Sequence, residues 1–155
     1  MKTSSTQEIN FVPKGWGFEK WFHNSEKYCG KLLYFVKDKK CSWHYHEIKD
    51  EVFYVQSGRI VVRYSDEDDL ASAKEVTLAA GDNFHVYTGL RHQMEALEDT
   101  ELFEFSTQHL CYNDFKSLGE NNESQIIKPS RRRNHDGTTK VSNRAIRHYT
   151  CSSRF

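Results

Sequence analysis

Short apolar runs separated by polar turns fill the middle of the chain. GKLLYFVK (30–37), CSWHYH (41–46), EVFYVQS (51–57), RIVVRYS (59–65), KEVTLAA (74–80), NFHVY (83–87), RHQMEAL (91–97) and TELFEFST (100–107) are rich in β-branched and aromatic residues. Between them lie KDKK, EIKD, SG, DEDDLASA, AGD, TGL and EDT, which are turn sequences, and helical periodicity is absent over this stretch. Eight strands spaced this closely predict an all-β domain, a sandwich or a closed barrel, because antiparallel sheets of that number must hide their edges. NDFKSL (113–118) is the one other candidate element, and it reads as a helical turn.

The pattern stops at both ends. Residues 1–12 are expected to form a flexible N-terminal tail, 13–115 the folded domain, and 116–155 a basic, mostly disordered C-terminal tail. The last forty residues are rich in Ser, Asn, Arg and Gly, a composition that buries too little surface to offset its ordering entropy. They carry nine basic and three acidic residues, which leaves 13 basic and 19 acidic in residues 1–115. Over all 155 residues the two signs balance at 22 each, so charge gives no reason to expect nucleic acid as a partner, and the RRR run at 131–133 reads as solvated. The first dozen residues lack the apolar stretch of a signal peptide, and no window reaches the roughly 20 apolar residues of a membrane span. A cytoplasmic protein without a membrane partner is expected. Cys29, Cys41, Cys111 and Cys151 form no CxxC pair and are expected to be thiols, not a disulfide frame or thiolate metal site.

Chemistry concentrates in HYHEIKDEVFYVQSG (44–58). Side chains alternate across a strand, so His44 and His46 share a face, about 6–7 Å apart along it, while Tyr45 takes the other. Glu51 opens the next strand after four residues and, in a hairpin, returns beside the pair. Two neutral imidazoles and a carboxylate make part of a tetrahedral or octahedral site for a borderline divalent metal.

That segment reads H-x-H, four residues, E, six residues, G; GDNFHVYTGLRH further on reads G, five residues, a dipeptide, G, two residues, H. Together they resemble the two signature motifs of the cupin family, small antiparallel barrels of the double-stranded β-helix (jelly-roll) type. The resemblance spans about residues 13–110. It implies His44, His46, Glu51 and His92 as ligands of one divalent ion (Mn, Fe, Zn or Ni), with Gly58, Gly81 and Gly89 at turns. Asp38 stands in the place of an opening glycine, Tyr87 of a proline and Ala96 of an asparagine; none of these removes a ligand. Within the cupins, KGWGFEKWF and TELFEFSTQH are similar to the C-terminal cupin half of type II mannose-6-phosphate isomerases, although the accompanying nucleotide-sugar transferase domain is missing and His44 stands where that branch often has glutamine.

Two further residues are candidate catalytic groups. His85 shares a face with Asn83 and Tyr87: it is a base or substrate contact if that face is interior, and an ordinary surface histidine otherwise. Glu104, between two phenylalanines, is either a raised-pKa acid inside the barrel or a charge on the outer sheet. The same ligand set serves a sugar or sugar-phosphate isomerase, a non-catalytic binding or sensing barrel, and an iron dioxygenase. The isomerase is the reading the second resemblance implies. Its partner would be a small polar or anionic metabolite such as a sugar phosphate, with Lys31 and Arg63 as candidate cations, and an exposed outer sheet is expected to pair two copies into a homodimer.

Overall fold

The computed structural model describes residues 6–110 and 114–118, which form eleven strands in two antiparallel sheets. In chain order they are β1 (Asn10–Lys14), β2 (Gly17–Asn24), β3 (Cys29–Phe35), β4 (His44–His46), β5 (Glu51–Ser57), β6 (Arg59–Ser65), β7 (Lys74–Ala79), β8 (Asn83–Val86), β9 (Arg91–Ala96), β10 (Thr100–Ser106) and β11 (Phe115–Ser117). One sheet runs β1-β2-β3-β10-β5-β8 and the other β11-β4-β9-β6-β7. Consecutive strands repeatedly cross from one sheet to the other, as β4 to β5 and β9 to β10 do, which is the jelly-roll way of closing a barrel.

All eight expected strands are present, two with the expected bounds and the others differing by one to three residues at an end. Three more were not expected. β1 begins at Asn10, inside the stretch read as a flexible tail, and pairs with β2 along its whole length. Its Pro13 is tolerated because β1 is an edge strand, where a missing N–H breaks no inner ladder. Phe115–Ser117 form a strand against β4, not a helical turn, since pairing with His44–His46 satisfies backbone groups that an isolated turn would leave to water. Residues 116 and 117, expected to belong to the tail, are thus part of this strand; residues from 119 onward, and Cys111 and Cys151, lie outside the described residues.

Alternation along the inner strands divides the interior into two ends. In β3 the inward set is Cys29, Lys31, Leu33 and Phe35; in β5 it is Glu51, Phe53 and Val55; in β10 it is Thr100, Leu102 and Glu104. The register sets Leu102 opposite Leu33 and Val55, Glu104 opposite Lys31 and Phe53, and Ser106 opposite Glu51. One end is thus an apolar core, closed by Phe35, Val55, Ile60, Val62 and Leu102, each of whose burial contributes roughly 1.5–3 kcal/mol. The other end collects charge.

Candidate metal centre

His44 and His92 face each other across the β4–β9 pair, and His46 follows on the same side of β4. All three are buried, and one ring nitrogen from each lies within 4.8 Å of the others. Each ring is oriented through Nδ1, which donates to the Ser42 carbonyl in His44 (2.9 Å), to Asp114 Oδ2 in His46 (3.1 Å) and to the Leu90 carbonyl in His92 (3.1 Å). With Nδ1 engaged, Nε2 is the lone-pair nitrogen, and a fixed partner on Nδ1 is how metal-binding histidines are held. Burial lowers the pKa of all three, reinforced at His44 by the neighbouring His92 and His46 rings, so they stay neutral, as ligands must.

Glu51 arrives from the opposite sheet. The hairpin expected between 44–46 and 51–57 does not form, because β4 pairs with β9 and β11 while β5 pairs with β10 and β8. The carboxylate still reaches the histidines across the barrel, its Oε2 standing 3.6 Å from His46 Nε2 and 3.7 Å from His92 Nε2. That oxygen is buried and has no hydrogen-bond partner. A buried carboxylate oxygen without a donor is costly, and a cation between it and the imidazoles removes the cost, so the residues fit a divalent metal.

Behind Glu51 lies a chain of alternating buried charges. Lys49 contacts Glu51 Oε1 and donates to Glu104 Oε1 at 2.5 Å. Lys31 lies 3.3 Å from the same Glu104 oxygen and 3.9 Å from Glu19, and Glu19 meets Lys14 at 3.2 Å. Ser106 Oγ donates to Glu104, Lys31 Nζ to His109 Nδ1, and the Trp21 ring stacks under the Lys31 ammonium. For Glu104, burial favours the neutral acid, yet Lys31 and Lys49 outweigh it and hold the carboxyl well below its usual range. For Lys49, burial opposes the charge, and Glu104 and Glu51 more than compensate. His109 is pushed down to about 2 by burial and by Lys31 and Lys49. The histidines, the two lysines and Glu104 line one cavity of about 80 Å³.

Glu104 is therefore interior, but ionised and paired, not a raised-pKa acid. His85 is on the outside: it is half exposed, its ring bonded to Asp50 at 3.0 Å, and it is not among the residues lining the metal cavity. Its face of β8 is the outer one, because Val86 takes the interior. Arg63 pairs with Glu75 and Glu95 on the other sheet's surface, whereas Lys31 lies within the cavity. Lys49 and Asp114 escaped sequence reading. Lys49 sits in the EIKD turn and Asp114 before β11, and neither belongs to a spacing pattern; only the fold brings them to the histidines.

Residues 32–106 match the cupin domain family. Among curated proteins none matches this sequence. Of solved structures, oxalate decarboxylase from Bacillus subtilis is similar at 19% identity and a TM-score of 0.61, over 74% of this chain and 31% of that one. The capsular polysaccharide assembling protein CapF from Staphylococcus aureus is similar at 18% identity and a TM-score of 0.57, over 67% of this chain and 30% of that one. An RmlC-like cupin from Shewanella frigidimarina is similar at 19% identity and a TM-score of 0.56, over 68% of this chain and 89% of that one. The chain thus spans about a third of the length of the first two and most of the third. Two facing sheets, the two motifs on β4–β5 and β8–β9, and the family match agree: residues 32–106 form a domain of the cupin superfamily.

Proposed function

We propose that the barrel holds one divalent ion, of Mn, Fe, Zn or Ni, on His44, His46, His92 and Glu51, and uses it to bind a small polar or anionic metabolite. The observation that carries this reading is the convergence of three buried, Nδ1-anchored imidazoles on an unpartnered Glu51 oxygen. An ion there supplies Lewis acidity and an anchor for an oxygen ligand. The protein's own groups do the rest: Lys31 and Lys49, paired with Glu19, Glu51 and Glu104, leave the ion itself to attract negative charge, Trp16 and Phe115 border the cavity with apolar surface, and its volume of about 80 Å³ admits a small ligand, or one end of a larger one, beside the ion. Elemental analysis of protein purified without chelator tests the site. About one equivalent of metal in the wild type, and its loss in H44A, H46A, E51A and H92A, is expected; full occupancy in H92A would remove the second motif from the site.

A sugar or sugar-phosphate isomerase is the catalytic form of this reading, with Lys31, Lys49 and Glu104 as the charged groups beside the ion; Glu104, held ionised well below the usual carboxylate range by both lysines, is a weak proton acceptor. His85 has no part in it. Aldose-to-ketose conversion across hexose and pentose phosphates, in metal-loaded protein, is the assay; absence of turnover with every metal leaves binding as the function, and ferrous-dependent oxygen uptake would replace both with a dioxygenase. We further propose that two copies pair through the outer face of the six-stranded sheet, where Phe11, Phe22, Tyr54 and Phe105 are exposed.

A further inference from the structure

Lys49 is the odd member of the centre, a buried ammonium beside the carboxylate that would hold a dication. Only 2% of its surface is exposed, and it touches both Glu51 Oε1 and Glu104 Oε1. Its position is built. The backbone N–H groups of Ile48 and Lys49 donate to Asp114 Oδ1 at 2.7 and 3.2 Å, fixing the β4–β5 loop from which the side chain turns inward. Glu104 is itself held, between Lys31 and Ser106.

We propose that Lys49 is the resident counter-cation of this metal centre: anchored by Glu104, it competes with the metal for Glu51 and so sets how tightly the ion is held. The inference rests on the metal site of the preceding section. Two cations sharing one carboxylate repel each other, and in a buried site this repulsion is only weakly screened. Without metal, the ammonium compensates Glu51 and lets the empty barrel fold with its ligands in place. An ion at the site would meet Glu51 through Oε2, the oxygen that Lys49 does not contact, so the ammonium would remain beside it.

The sign of two substitutions separates this role from a merely structural one. If Lys49 only braced Glu51, Lys49→Met and Glu104→Gln would both weaken metal binding. As a competing cation it behaves otherwise: K49M removes positive charge beside the ion and tightens binding, while E104Q removes negative charge and leaves the ammonium to Glu51 alone, weakening it.

The experiment is calorimetric titration of the chelator-stripped full chain with Zn²⁺, beside thermal melts with and without Zn²⁺. Binding at least tenfold tighter in K49M, at least tenfold weaker in E104Q, and a larger Zn²⁺-induced rise in Tm for K49M than for the wild type are expected. Zn²⁺ binding by K49M when the wild type shows none also supports the proposal, as the extreme of competition. If K49M does not fold, the double variant K49M/E104Q, which removes both halves of the pair, is compared with E104Q: tenfold tighter binding supports the proposal, and equal or weaker binding overturns it. Wild-type binding with unchanged or weaker affinity in K49M overturns the role of Lys49 and leaves the metal site standing. No binding by any variant overturns the metal site, and the inference with it.

Discussion

Asp114 ties together two parts of the centre that are remote in sequence. One oxygen takes the Nδ1 proton of His46, the other takes the backbone protons of the loop that carries Lys49. Asp114→Ala leaves His46 free to rotate and two N–H groups without an acceptor; metal affinity is expected to fall about 10–100-fold in a Zn²⁺ titration, with His46 still present. The histidines also set how the metal-free protein responds to acid. His44, His46, His92 and His109 all have pKa values below the ordinary histidine value, burial being the first cause in each. The unfolded chain takes protons on these rings as pH falls through about 6.5, and the folded one does not, so the stability they contribute is full above that pH and lost below it. Each contributes a slope of about 1.4 kcal/mol per pH unit once the unfolded form is protonated. The urea midpoint of chelator-treated protein is expected to drop steeply between pH 7.5 and 5.5; a flat or rising midpoint would mean that these rings accept protons inside the fold.

Among the elements, the turns show where strict backbone demands lie. Gly58 joins β5 to β6 at φ +82°, and a Cβ there would collide with the Asp99 carbonyl and stand 2.5 Å from Thr100 Oγ1. Gly81, at φ +98°, has nothing within 4 Å of such a Cβ. Gly58→Ala is therefore expected to cost several kcal/mol and Gly81→Ala only about 1, a difference read directly from chemical-denaturation curves. Asp38 stands where the motif has glycine and keeps the glycine conformation, φ +61°, which aspartate tolerates better than most residues. Tyr87, in the place of proline, is tied instead by its hydroxyl to Asp66 at 2.6 Å, and Ala96 is fully buried on β9. These local features explain what could be read from the chain beforehand. The eight barrel strands announce themselves through β-branched and aromatic runs bounded by turn residues, and three of the four candidate ligands, His44, His46 and Glu51, lie within a single fifteen-residue stretch. What stayed hidden depends on pairing over distance: β1 carries a proline, β11 is three residues long and borrows its partner from β4, and Lys49 looks like a solvated turn residue until Glu104, 55 positions away, closes over it.

For the whole molecule, the barrel's two ends and two faces divide the work. The apolar end supplies stability, so losing the metal should not unfold the domain, unlike a zinc finger whose core is the ion's own shell. The outer face of the six-stranded sheet is the part left unexplained by a monomer. Phe103 and Phe105 on β10 lie 6.4 Å apart, Phe22 on β2 is 6.2 Å from Phe103, and the register sets Tyr54 directly beside Phe103 on the other side. Phe105 is 58% exposed and Phe22 and Tyr54 more than a third. Aromatic surface gathered on one sheet face, where alternation would normally place polar residues, is what an interface between protein surfaces requires. Light scattering of the wild type is expected to give the mass of two chains. Phe105→Asp, on an exposed position that the core does not use, is expected to yield a folded monomer with metal content unchanged, since the substituted face is opposite to the cavity side of β10. A monomeric wild type would leave this face to a different partner, and a dimeric F105D would place the contact elsewhere on the barrel.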